Sequence, residues 1–273
     1  MTTAAQKIAF VGGGNMAGAL IEGLLKAGTA ARDLLAVEID AARRAQLEQQ
    51  FGIGTTAAAD GGLRAQDVLV LAVKPQQMKE VGAALAPYIG RQLVVSIAAG
   101  IRARDLARWL GTEAIVRAMP NTPALIGQGV AGLAALAAVT AQQRALAERI
   151  LAAVGRVVWF DDESALDAVT AISASGPAYI FYFIEAMIAA GCAEGLTEAQ
   201  ARELATGTFV GAAQLAAQSS EPVALLRQRV TSKGGTTAAA LASLEADQVG
   251  AAIAKAIHAA NVRAQELGDE FGR

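Results

Sequence analysis

The residues best suited to chemistry in this sequence sit in two glycine-bearing segments, one toward each end. Near the C-terminal end, Val230-Thr231-Ser232-Lys233-Gly234-Gly235-Thr236-Thr237 sets two glycines and four hydroxyl side chains between stretches of helical character. Glycine lets a backbone turn tightly and brings its amides close to a ligand. Successive N–H groups in such a turn form an anion-binding nest, and flanking hydroxyls add donors. A helix starting near Thr237 would direct its positive end to the same place. The chemistry this suggests is capture of a small carboxylate or phosphate by Ser232, Gly234, Gly235, Thr236 and Thr237. The same spacing also suits a plain glycine turn followed by a threonine cap.

At the other end, Lys7-Ile8-Ala9-Phe10-Val11 runs into Gly12-Gly13-Gly14-Asn15-Met16-Ala17. Gly12, Gly14 and Ala17 match the G-x-G-x-x-G/A fingerprint of dinucleotide-binding turns: a tight bend, room for a pyrophosphate, and close packing of helix on strand. Gly12, Gly14, Asn15 and Met16 are therefore expected cofactor contacts. Glu38 closes the next strand, where an acidic residue accepts hydrogen bonds from the adenosine ribose of NAD. About 4 Å from a 2′-phosphate, one unit of charge there costs ~4 kcal/mol at an effective dielectric of ~20, which favours NADH over NADPH. Arg43 and Arg44 stand close by, with charge to neutralise a phosphate if Glu38 turns away.

Three further turns follow strand-like runs. Ala72-Val73-Lys74-Pro75 lies where ligands bind doubly wound sheets, outside the carboxyl ends of strands; alternatively Lys74 is solvated and Pro75 only starts a helix. Ala98-Ala99-Gly100 is small enough to leave room for a nicotinamide, or simply turns the chain. Met119-Pro120-Asn121-Thr122-Pro123 stiffens a turn around Asn121, whose amide both donates and accepts. The sole histidine, His258, and the sole cysteine, Cys192, exclude histidine-based triads, multi-cysteine metal sites and internal disulfides. Cys192 reads as a buried small hydrophobe.

These segments need a scaffold, and the pattern supplies one. Runs at Lys7–Val11, Leu34–Glu38, Val68–Ala72, Leu93–Ile97 and Ile115–Ala118 read as strands, with helices near 15–27, 41–50, 75–86 and 103–110 between them. Such alternation predicts a parallel sheet wrapped by helices. Val130–Leu133 and Val157–Phe160 are extra strands flanking a helix near 140–153. Beyond about 163 the apolar spacing is helical throughout. The expected organisation is α/β, with a Rossmann-like doubly wound domain over 1–162 and an all-helical substrate-binding and dimerisation domain over 163–273. A hydrophobic share of 54% provides for a large core, and a net charge of −2 without basic tracts gives no footprint for nucleic acid. Residues 168–184 are uncharged but broken by Ser173, Ser175, Gly176 and Pro177, so they read as a buried helix start and not a membrane span. MTTAAQKIAF has neither the basic region nor the apolar core of a signal peptide, and the expected location is the cytoplasm.

The motifs FVGGGNM at 10–16, AVKP at 72–75, SIAAG at 96–100, RAMPNTP at 117–123, SGPAY at 175–179 and the 230–237 segment occur in an order and at separations that resemble the pyrroline-5-carboxylate reductases. The resemblance spans most of the chain. It implies hydride transfer from NADH or NADPH to the C=N carbon of 1-pyrroline-5-carboxylate, giving L-proline. It implies that Ala72, Val73, Lys74, Pro75 and Ala98 line the nucleotide site, with Asn121 near the nicotinamide. It further implies that the Thr237 hydroxyl reaches the ring nitrogen; a threonine is a poor acid, so hydrogen bonding, with water as proton source, fits it better. Two departures stand out: Lys233 replaces a common proline and Ala174 a common glycine. Related hydroxyacid enzymes carry a lysine on the long helix, and residues 164–193 have none. A homodimer, or a larger assembly of dimers, is the implied partner state.

Overall fold

The computed structural model describes residues 6–272. Residues 1–5, part of the stretch read above as lacking a signal peptide, and residue 273 lie outside them. The first half alternates strand and helix: β1 (Ile8–Val11), α1 (Asn15–Lys26), β2 (Leu34–Val37), α2 (Ala41–Phe51), β3 (Gly54–Thr56), β4 (Val68–Leu71), α3 (Met78–Leu85), β5 (Leu93–Ser96), α4 (Ala103–Leu110), β6 (Ile115–Met119), β7 (Gly129–Ala135), α5 (Ala141–Ala152) and β8 (Gly155–Phe160). Only helices follow: α6 (Ala165–Val169), which continues into a π-helical turn over Thr170–Ala174, then α7 (Gly176–Ala193), α8 (Glu198–Gln218), α9 (Val223–Arg229), α10 (Thr236–Ala246) and α11 (Val249–Phe271).

The eight strands form one sheet in the order β3-β2-β1-β4-β5-β6-β7-β8, parallel except at the β6–β7 pairing. The doubly wound expectation is borne out. Strands β1, β4 and β5 are buried on both faces, as parallel sheets covered by helices require. Their side chains alternate between two apolar clusters. Ile8, Phe10, Val68 and Val70 join Leu20, Leu24 and Ile150 on one side; Ala9, Val11, Leu69 and Leu71 join Met78, Leu85 and Leu106 on the other. The short β3 was not foreseen. Its sequence, Gly-Thr-Thr, has little intrinsic strand character, and pairing with β2 holds it.

By contacts, the chain forms two compact units: residues up to Ser175 with those from Ala260 on, and Gly176–Ala259. In the first unit, the last turns of α11 pack on the loop after β5. A Cβ on Gly100, at φ +72°, would lie 3.1 Å from Leu267, so the glycine makes room for that helix. Arg102 reaches Asp269 at 2.6 Å. The buried Arg117 on β6 pairs with Glu163 at 2.6 Å, and Glu163 also accepts from the Ala103 amide at 2.7 Å.

In the second unit, α7 and α8 pack together, with Gly191 allowing Ala201 close approach. Ala201 and Ala205 are its only buried residues among those described. The expectation of a buried helix start near 168–184 therefore needs correction: no residue of α7 is buried, and Phe181 and Tyr182 are 65% and 71% exposed. Cys192 is exposed as well. A helix apolar on every side needs cover, and this unit alone does not supply it. By length and composition, Ala165–Ala193 meets the requirement for crossing a membrane, at a mean hydropathy of 1.3.

Two stability outcomes follow from the charges around Arg117. Glu163→Ala strands a cation whose side chain is 5% exposed; because Glu163 itself is partly solvated, the expected loss is about 2–3 kcal/mol in denaturant unfolding. Burial pushes the Asp167 carboxyl above its usual value, against the pull of Arg117 and Arg102. A carboxyl raised in this way binds a proton more tightly when folded, so stability falls as pH climbs through the raised value. Asp167→Asn is expected to raise the melting temperature at neutral pH and to have a smaller effect near pH ~4.

Candidate functional site

Strand order turns at β1, with β2 on one side and β4 on the other, and the carboxyl ends of these strands open onto a cleft of about 390 Å³. Ligands bind open α/β sheets at such a switch point. Gly12 leaves β1 at φ +97°, and a Cβ there would lie 2.8 Å from the Ala72 carbonyl oxygen. Only glycine fits, in conformation and in space. Its N–H donates to the Val37 carbonyl at 2.8 Å, tying the turn to β2. Helix α1 then begins with Gly14 as its cap and no side chain on its first amides. Those unpaired N–H groups and the helix dipole make an anion site.

Glu38 stands where the sequence places it, in a specific attitude. One carboxylate oxygen accepts from the Gly13 amide at 2.7 Å, the other from the Asp40 amide at 2.9 Å. Arg43 donates through Nε to the Gly13 carbonyl at 2.6 Å and through Nη1 to Gln46. Arg44 donates to the carbonyls of Glu38 and Ile39 at 2.8 and 3.0 Å. Both guanidinium groups are thus held on neutral acceptors.

Gly12, Gly14, Glu38, Ala72, Val73 and Lys74 all line the cleft. Of the other expected contacts, Asn15 and Met16 form the first turn of α1, and Pro75 opens a short 3-10 turn beyond Lys74. Ala98 is 5% exposed and belongs to an apolar cluster. The Asn121 amide donates to the Ser173 carbonyl at 3.0 Å and accepts from the Val130 amide at 2.8 Å, bridging three segments. The sequence reading missed Ile39, Ala57–Ala59, Gln77, Val81 and Leu85, which build the cleft's far wall. The alanines follow β3, so recognising that strand would have located them.

In the second unit, Gly234 turns at φ +74° and α10 starts at Thr236. Gly235 is the cap, with no side-chain hydrogen bond onto the helix start. Thr237 lies one residue inside the helix, so the alternative in which it caps α10 does not hold. The amides of the first turn stay open to a ligand.

The first cleft fits a dinucleotide on one direct criterion. Gly14 has φ −65°, which any residue adopts, and a Cβ there meets nothing within 4 Å. Packing within the fold does not exclude a side chain at this position, and its absence leaves the turn open to a ligand. Gly14→Ala, at an N-cap position where glycine outranks alanine, is expected to lower the melting temperature by no more than about 4 °C while weakening nucleotide binding at least ~10-fold by titration. Gly12→Ala is expected to lose both binding and stability.

Residues 163–267 match the family model for pyrroline-5-carboxylate reductase dimerisation, and residues 7–100 match that for coenzyme F420-dependent NADP oxidoreductase. The pyrroline-5-carboxylate reductase of Pseudomonas aeruginosa is 46% identical over 269 residues, covering 98% of each chain. The solved Coxiella burnetii pyrroline-5-carboxylate reductase superposes with a TM-score of 0.91 at 39% identity, covering 96% of this chain and 98% of that one. The Plasmodium falciparum pyrroline carboxylate reductase, solved with NADP bound, gives 0.85 at 29% identity with the same coverage. On these grounds, with the dinucleotide cleft in place, the chain belongs to the pyrroline-5-carboxylate reductase family.

Proposed function

We infer that this chain reduces 1-pyrroline-5-carboxylate to L-proline with NADH or NADPH. The observation that carries this reading is the 46% identity to a pyrroline-5-carboxylate reductase over 98% of both chains. The substrate needs its carboxylate held, its ring oriented and its imine nitrogen protonated. When bound, the reduced nicotinamide supplies the hydride that reduces the C=N bond. Capture of the carboxylate is assigned to Ser232, Gly234, Gly235 and Thr236, where the uncapped start of α10 and the Ser232 hydroxyl favour an anion. Thr237 is assigned the hydrogen bond to the ring nitrogen, the proton itself coming from water. Holding the ring in one orientation is the larger contribution, since reacting atoms must approach to ~3–3.5 Å.

NADH is the preferred donor in this reading. Glu38 is fixed by two backbone amides beside the ribose position, and its charge opposes a 2′-phosphate. The NADP oxidoreductase match and the NADP-bound Plasmodium relative weigh the other way, so the ratio must be measured. Pro75, Ala98 and Asn121 are read as supports of the nucleotide-binding loops, with Lys74 near the cofactor.

The chain oligomerises through its dimerisation region, and the exposed Phe181, Tyr182, Leu204 and Leu215 are assigned to that interface. A homodimer is the smallest assembly that covers them, and rings of dimers extend the same contacts. The cover for α7 is then a second copy and not lipid, which suits a cytoplasmic enzyme acting on soluble metabolites.

Incubating the protein with 1-pyrroline-5-carboxylate and following loss of reduced-nicotinamide absorbance, with NADH and NADPH in parallel, tests the reaction. Proline formation is expected with both and faster with NADH; binding without turnover would refute the assignment. Glu38→Gln, which removes charge but keeps an acceptor for Gly13, is expected to shift the kcat/KM ratio toward NADPH at least ~10-fold. Thr237→Ala is expected to lower kcat on the order of tenfold to a hundredfold at unchanged cofactor affinity.

A further inference from the structure

Gly13 is not one of the fingerprint glycines, yet side chains hold both edges of its backbone. Its N–H is held by Glu38 and its carbonyl by Arg43, at 2.7 and 2.6 Å. A Cβ on it would come 2.7 Å from Leu47 and 3.1 Å from Glu38. Side chains from the β2–α2 region therefore grip both edges of one residue in the glycine turn. The Arg43 guanidinium also lies against α1: a Cβ on Gly18 would sit 3.2 Å from its Nη2.

We propose that Arg43 is a positioning residue for dinucleotide binding, acting through the Gly13 carbonyl and not by contact with a 2′-phosphate. A carbonyl oxygen is a negative dipole end, and a turn that admits a pyrophosphate must point it away from the anion. Arg43 fixes it in that direction with a charged donor, a class of hydrogen bond stronger than a neutral one. The amides of Gly14, Asn15 and Met16, next in the chain, are left to face the phosphates. Committing Nε to Gly13 and Nη1 to Gln46 keeps the guanidinium from reaching toward the ribose. The pyrophosphate is common to NADH and NADPH, so Arg43 serves both equally, whereas Glu38 separates them. This rests on the cleft being the dinucleotide site.

The test uses the full chain. Dissociation constants for NADH and NADPH, steady-state constants and the melting temperature without ligand are measured for the unaltered protein, Arg43→Gln, Arg43→Lys and Gly18→Ala. Arg43→Gln is expected to weaken both nucleotides by the same factor, on the order of tenfold, with kcat at saturating cofactor within about twofold. Arg43→Lys, which keeps a charged donor, should recover part of that loss. Gly18→Ala crowds the guanidinium but improves helix propensity; both affinities should fall by about threefold while the melting temperature holds or rises. A purely structural role cannot produce that combination, and this variant carries the test if Arg43→Gln fails to fold. Loss confined to NADPH, or unchanged affinities in both Arg43→Gln and Gly18→Ala, would overturn the proposal. An unaltered protein that binds neither nucleotide would instead overturn the reading of the cleft.

Discussion

Everything at the nucleotide cleft depends on the register of three parallel strands. Val11 is aligned with Val37 on one side and with Leu71 on the other. The residues that follow them, Gly12, Glu38 and Ala72, therefore emerge at one level, side by side. That alignment brings the Ala72 carbonyl so near residue 12 that no side chain fits there, and it sets Glu38 within reach of the Gly13 amide. A slip of one residue in either pairing would turn the strand faces over and separate these groups. The cleft is thus a property of the sheet's hydrogen-bond ladder before it is a property of any loop.

What sequence could disclose follows the same division. The glycine fingerprint, the five principal strands and the acidic end of β2 were legible because each depends on local chemistry: backbone freedom, β-branched runs, charge. The far wall of the cleft was not, because β3 exists by pairing with β2 and not by its own propensity. Gly100 was open to two readings, and neither included its neighbours Leu267 and Phe271, more than 160 residues away in sequence. Thr237 reads as a possible cap in the sequence, whereas the helix starts at Thr236 with Gly235 as its cap, two residues earlier. Asn121 showed its donors and acceptors in the sequence, but not that Ser173 and Val130 engage them.

The helical unit went astray for a different reason. Its apolar spacing was read correctly as helix, and burial was then inferred from hydrophobicity. Yet only two alanines in Gly176–Ala259 are buried among the described residues, while Phe181, Tyr182, Leu204 and Leu215 stand open. Hydrophobicity predicts that a surface will be covered; it does not say by which chain. With a dimerisation region spanning 163–267, a second copy is the proposed cover, and exposure within one chain marks the surface left for association.

At the cleft, the sharing of Glu38 between two tasks limits how cofactor choice can change. Its carboxylate is the acceptor that holds the Gly13 amide, and in the proposed reading it is also the group that opposes a 2′-phosphate. A small neutral replacement would remove the repulsion but free one edge of the turn, leaving Arg43 to hold the other. A cationic replacement would attract the phosphate while setting a donor against the Gly13 donor, so the turn would have to shift. Charge removal at constant shape is the one change that separates the tasks, since an amide oxygen still accepts from Gly13. In the proposed reading, affinity for dinucleotides in general and preference between them are coupled through a single peptide unit, because Glu38 and the turn lie at the ends of adjacent strands in register.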